Sequence, residues 1–109
     1  MDAFFIGPSD SYTPEERKLS EAKIEKRAKE WARRNGWHCR KWASPGQVGV
    51  PDDILIKEGR VVVIECKRVG NTPTGLQYDE LEKWRQHGGE AYWCNTVRGY
   101  KEILEGIYE

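Results

Sequence analysis

The sequence predicts one α/β domain, a mixed central sheet flanked by helices in the order α-β-β-β-α-β-α. Three observations predict it. Two apolar runs, Asp53-Ile54-Leu55-Ile56 and Val61-Val62-Val63-Ile64, are joined by Glu58-Gly59, a hairpin signal. A helical stretch over 74–87 then separates this hairpin from a further strand over 91–94, the spacing of a crossover between parallel strands. Helical stripes stand before and after the strands. A length of 109 residues suits a single core.

Residues 1–12 read as a tail and 13–109 as the domain. Thr13-Pro14-Glu15-Glu16 starts a helix: Thr as N-cap, Pro at the first position and Glu at the third, a capping box. The stretch runs to Asn35-Gly36, a natural stop, with Ser20 a second cap at which it can break. Ile24, Ala28, Trp31 and Asn35 share one stripe; Glu25, Ala28 and Ala32 form its neighbour. Residues 37–43 read as a strand, and Ser44-Pro45-Gly46-Gln47 as a turn with Gly49 close behind. After the hairpin, the strand over 61–67 leads through a loop to the helix over 74–87. There Gln77, Leu81, Trp84 and Gly88 fall on one stripe, and Gly88-Gly89 ends it. Asn95 or Thr96 caps a last helix carrying Val97, Tyr100, Leu104 and Ile107.

Composition narrows the function. The chain is 38% hydrophobic and 33% charged, with five Trp, five Tyr and two Phe, which excludes disorder. Eighteen basic residues balance eighteen acidic ones, so this is not a polycationic nucleic-acid coat. A nucleic-acid enzyme stays open, because carboxylates that hold metal ions count as negative here. Cys39, Cys66 and Cys94 are odd in number and widely spaced, against a disulfide framework or zinc knuckle and in favour of a reducing cytoplasm. No apolar run approaches the roughly 18 residues of a membrane span, and the first residues lack the basic region of a signal peptide.

One constellation carries chemistry. Gly49-Val50-Pro51-Asp52 is followed, thirteen residues after the Asp, by Glu65-Cys66-Lys67. Alternation along the strand puts Val61, Val63, Glu65 and Lys67 on one face and Val62, Ile64 and Cys66 on the other. The hairpin can bring Asp52 beside Glu65. Two adjacent carboxylates repel, and a divalent cation resolves the repulsion; hard oxygen ligands favour magnesium, with manganese as substitute. The Cys66 backbone carbonyl can add an oxygen. Lys67 can orient or deprotonate a water and stabilise charge on a phosphate. The plain alternative is a surface hairpin whose charges form solvated ion pairs.

These residues resemble the Pro-Asp…(Asp/Glu)-x-Lys signature of restriction-endonuclease-like nucleases, and more narrowly a stand-alone VRR-NUC domain of the phage and bacterial type. The matching stretches are Ile24-Glu25 with Gly36 eleven residues after the Glu, Gly49-Val50-Pro51-Asp52, Ile64-Glu65-Cys66-Lys67 and Gln77. The resemblance implies a restriction-endonuclease-like fold and hydrolysis of DNA phosphodiester bonds. It assigns Asp52 and Glu65 to the metal, Lys67 to catalysis, Glu25 to a helix-borne acid completing the site, and Gln77 to its edge. It also implies a homodimer acting on branched DNA such as four-way (Holliday) junctions. A non-catalytic module binding structured nucleic acid is the alternative.

Other residues have plain readings too. Glu25 can pair with Lys29 as an exposed helix residue. Gln77 closes a Thr74-Gly75-Leu76-Gln77 capping box. Residues 17–41 hold ten basic and three acidic side chains, either a solvated face or a phosphate track including Lys29, Arg34, Arg40 and Lys41. His38 and His87 stand alone. Phe4, Phe5, Ile6, Ile107 and Tyr108 are apolar residues that the predicted core leaves over, and they suit a dimer contact.

Overall fold

The helical stretch before the sheet is two helices. In the computed structural model, which describes residues 2–8, 11–42 and 46–106, α1 (Pro14–Lys18) stops at Leu19, whose backbone is extended, and α2 (Glu21–Arg34) begins at a new cap. Ser20 makes that cap: its hydroxyl accepts the Lys23 amide at 3.2 Å. Thr13 and Glu16 form the expected capping box on α1. The order is therefore one helix richer than the sequence predicts.

The strands are β1 (His38–Lys41), β2 (Asp53–Lys57), β3 (Arg60–Cys66) and β4 (Glu90–Cys94); α3 (Gly75–Gln86) lies between the last two, and α4 (Val97–Glu105) follows. The sheet order is β1-β2-β3-β4. The first three strands are antiparallel, and β4 runs parallel to β3. Lys57 pairs with Arg60 across a two-residue turn. Both turn residues are left-handed, Glu58 at φ 50° and Gly59 at φ 84°, the turn whose twist matches the strands.

Alternation sorts the side chains into two cores. Leu55, Val62, Ile64, Cys66 and Cys94 face α2 and α4, joined by Ile24, Ala28, Ala32, Tyr100 and Ile103. Val63, Ala91 and Trp93 face the other way, against Leu81 of α3.

The segment expected as a free tail is part of the second core. The Phe4 carbonyl accepts the Trp93 amide at 2.8 Å, and the Ile6 amide donates to the Trp93 carbonyl at 3.0 Å, a short parallel bridge on the outer edge of β4. Phe4 and Phe5 pack against this core and Ile6 against the other. These three residues are thus not left over for a partner. Ile107 and Tyr108, like Ala43, Ser44 and Pro45 of the expected strand end and turn, lie outside the described residues.

Candidate active site

The site forms where β2 begins and β3 ends. Asp53 pairs with Ile64 in the antiparallel register, which brings the preceding residue, Asp52, beside Glu65. The Cys66 amide donates to Asp52 Oδ2 at 2.9 Å and fixes that carboxylate on the strand end. The Asp52 and Glu65 carboxyl groups lie close enough for each to influence the other's charge. This is the pairing the hairpin predicts.

A glycine brings the third element in. Gly49 has φ +93°, and a Cβ placed on it would stand 2.7 Å from the Leu76 carbonyl oxygen. Only a residue without a side chain lets the loop before Pro51 touch the first turn of α3. Gln77 sits in that turn, and the two ends of its side-chain amide make two different contacts. Its Oε1 accepts the Thr74 amide at 2.9 Å, closing the capping box, while its Nε2 donates to Glu65 Oε2 at 3.2 Å.

Glu65 is 3% exposed. Lys67 Nζ stands 3.5 Å from its Oε2, with the Lys67 side chain only 12% exposed. Glu65 Oε1 is buried with no hydrogen-bond donor. Burial first, then the Asp52 charge, push the Glu65 carboxyl up to about 8, against the pull of the Lys67 ammonium. Burial also raises Asp52, only partly countered by the Cys66 amide.

Glu25 stands on α2 within electrostatic reach of Asp52. Lys41 Nζ reaches both Glu25 oxygens, at 3.0 and 3.2 Å, and Lys29 Nζ stands 3.4 Å away. Burial raises Glu25, but the Asp53 carboxyl and the two ammonium groups outweigh it and hold Glu25 below the usual range. Its charge in turn contributes to raising Asp52. Glu25, Asp52, Glu65, Lys67 and Gln77 are thus brought into one neighbourhood.

The expected phosphate contacts divide. Lys29 and Lys41 are engaged with Glu25. Arg34 is exposed at the end of α2, and Arg40, next to Lys41 on β1, points to the opposite face of the sheet beside Ile54 and Ile56. The Cys66 thiol lies in the core on the other side of the sheet from Glu65.

Asp53 is the member that sequence reasoning missed. It is 0% exposed, and its Oδ2 accepts the Tyr100 hydroxyl at 2.8 Å. Lys29 Nζ lies 3.8 Å from its Oδ1, beyond hydrogen-bond reach. Burial and then Glu25 push Asp53 up to about 8. A proton kept on Asp53 relieves both the repulsion from Glu25 and the lack of a donor. The signal was present: alternation puts residue 53 on the same face as Leu55, inside the core, where an unpaired carboxylate is untenable.

The site fits a hard divalent cation. Among the described residues no three His, Cys, Asp or Glu side chains form a metal cage. Magnesium does not need one, since it is commonly held by one or two carboxylates with water and phosphate oxygens completing the shell. The Asp52–Glu65 pair and the undonated Glu65 Oε1 suit that mode. Among the described residues, no helix is long and apolar enough to cross a membrane.

No family model matches the chain. It is 37% identical over 65 residues to the "Putative nuclease p44" of Acyrthosiphon pisum secondary endosymbiont phage 1, spanning 59% of this chain and 70% of that protein. Its fold is similar to a solved structure described as a VRR_NUC domain. The TM-score is 0.73 at 25% sequence identity, covering 83% of this chain and all of the other.

Proposed function

The chain belongs to the VRR-NUC nucleases, and from that premise we propose that it is a magnesium-dependent endonuclease that hydrolyses DNA phosphodiester bonds. The observation that carries the reading is the Asp52–Glu65 pair with Lys67 Nζ 3.5 Å from Glu65 Oε2. A divalent cation, when bound, supplies positive charge that polarises a phosphate and acidifies a water.

The chain's own residues do the rest. Lys67, nearly buried, aims an ammonium group at the place where charge grows on the phosphate, and burial strengthens that interaction. Gln77 keeps Glu65 Oε2 pointed into the site, and the Cys66 amide does the same for Asp52 Oδ2. Glu25, held ionised by Lys41 and Lys29, adds an acceptor that can orient a water. Arg34 and Arg40 are free to meet phosphates away from the cut.

Branched DNA as substrate and a homodimer as the working form belong to the same proposal. A single site cuts one strand per encounter, and two sites on a two-fold axis suit a symmetric junction. Cleavage of linear, nicked, flap and four-way DNA, with and without magnesium, tests the reading. Magnesium-dependent cutting, strongest on the branched forms, is expected. No cutting of any form refutes the enzyme and favours a binding module. Light scattering tests the dimer; a mass near the 12.7 kDa of one chain refutes it.

A further inference from the structure

Asp2 is an exposed residue that joins the helix and the strand behind the site. Its Oδ2 accepts the Tyr78 hydroxyl at 2.5 Å and Trp93 Nε1 at 2.9 Å, and its Oδ1 accepts the Phe4 amide at 2.9 Å. The Phe5 ring packs on Trp93 at a tilt of 40° with centroids 4.5 Å apart, and the Phe4 ring leans on Tyr78 at 6.2 Å. The two donors are informative. Trp93 is the register partner of Glu65 across β3 and β4. Tyr78 is the neighbour of Gln77 on α3. One carboxylate thus ties α3, which carries Gln77, to β4, the strand paired with the one that carries Glu65. Leu81 is the one residue of this helix that is completely buried, and further along it Arg85 Nε donates to the Ala91 carbonyl at 2.9 Å while Trp84 meets Trp42 edge-on; the Asp2 contact holds its first turns, where Gln77 sits.

We propose that Asp2 is a positioning residue for the nuclease site: it clasps α3 to β4 and so fixes the Gln77 amide on the Glu65 carboxylate. The proposal rests on the reading of Glu65 and Gln77 as site residues. It gives the N-terminal segment a function beyond covering the sheet edge.

A double-mutant cycle tests it in the full chain. Asp2→Ala and Tyr78→Phe are made alone and with Gln77→Ala. The readouts are kcat and KM on DNA with magnesium and, separately, manganese affinity by calorimetry. Each single variant is expected to lower kcat about tenfold, the scale for losing a group that orients a metal-site ligand, with KM unchanged and manganese bound more weakly. In the Gln77→Ala background neither should cost anything further. Asp2→Asn, which keeps an acceptor oxygen, should restore most of the loss. Tyr78→Phe keeps the ring and removes only the hydroxyl, so it decides the matter if Asp2→Ala does not fold. Equal losses in both backgrounds overturn the proposal, as does a lower melting temperature with kcat and manganese affinity intact. If the wild type cuts no DNA, the nuclease reading fails, and the manganese cycle still decides the clasp.

Discussion

Replacing Glu65 with Gln should make the metal-free protein more stable while abolishing its activity. Burial and Asp52 hold the Glu65 carboxyl up at about 8, so folding favours its neutral form. The sign follows: this contribution is full below the unfolded value near 4.5 and is lost as pH rises through about 8. Each pKa unit corresponds to roughly 1.4 kcal/mol, so ionised Glu65 opposes folding by of order 4–5 kcal/mol near pH 8. The Glu65→Gln side chain has almost the same shape, accepts from Gln77 and donates to Asp52, and carries no charge. In chelator near pH 8 the variant should melt at least about 5 °C above the wild type, allowing part of the gain to be lost to Asp52 ionising instead. Near pH 5 the two should melt together. Magnesium should raise the wild-type midpoint near pH 8, because binding uses the ionised carboxylates, and should leave the variant almost unmoved. Circular-dichroism melts across pH, with and without magnesium, measure all of this. A variant that melts at or below the wild type in chelator near pH 8 refutes the reasoning.

Three further outcomes are expected. Lys67→Ala should still bind manganese but cleave about a hundredfold more slowly, the scale for losing one preorganised charge; undiminished turnover would remove Lys67 from the chemistry. Gln77→Glu keeps an acceptor for the Thr74 amide but turns a second carboxylate toward Glu65, so activity should fall while the melting temperature near pH 5 stays unchanged; wild-type activity would leave capping as the residue's whole role. Tyr100→Phe removes the hydroxyl donor to buried Asp53 and should destabilise by about 1–3 kcal/mol in urea unfolding, and an unchanged midpoint would contradict the network described around Asp53.

What could be read from the sequence was what is local. Val61 to Ile64, Glu58-Gly59 and the Thr13, Ser20 and Thr74 caps each carry their cause within a few residues. The Asp52–Glu65 pairing also followed, because a two-residue turn fixes the register of the strands on either side. Asp53 escaped notice because its strand was recognised by its apolar residues, and the partner that explains it, Tyr100, lies 47 residues away. The N-terminal segment reads as a tail for a similar reason. Asp2 meets Tyr78 and Trp93 at separations of 76 and 91 residues, and no periodicity announces such contacts. For Gln77 the capping box was legible because Thr74 is three residues away, whereas its contact with Glu65, on another element, was not; the two ends of its amide make the two contacts.

The bridge from Phe4 to Ile6 also limits how this chain can assemble. A sheet with two bare edges can add strands from other copies without end, the geometry of a fibre. Here the β4 edge is occupied at Trp93 by the chain's own segment. The other edge, β1, is four residues long and carries His38, Arg40 and Lys41. Growth through the sheet therefore has one direction open, and that direction ends when two such edges meet. If copies of this chain paired edge to edge through β1, the β4 edges left outermost would each carry the chain's own segment at Trp93, so such pairing would not run on into a fibre.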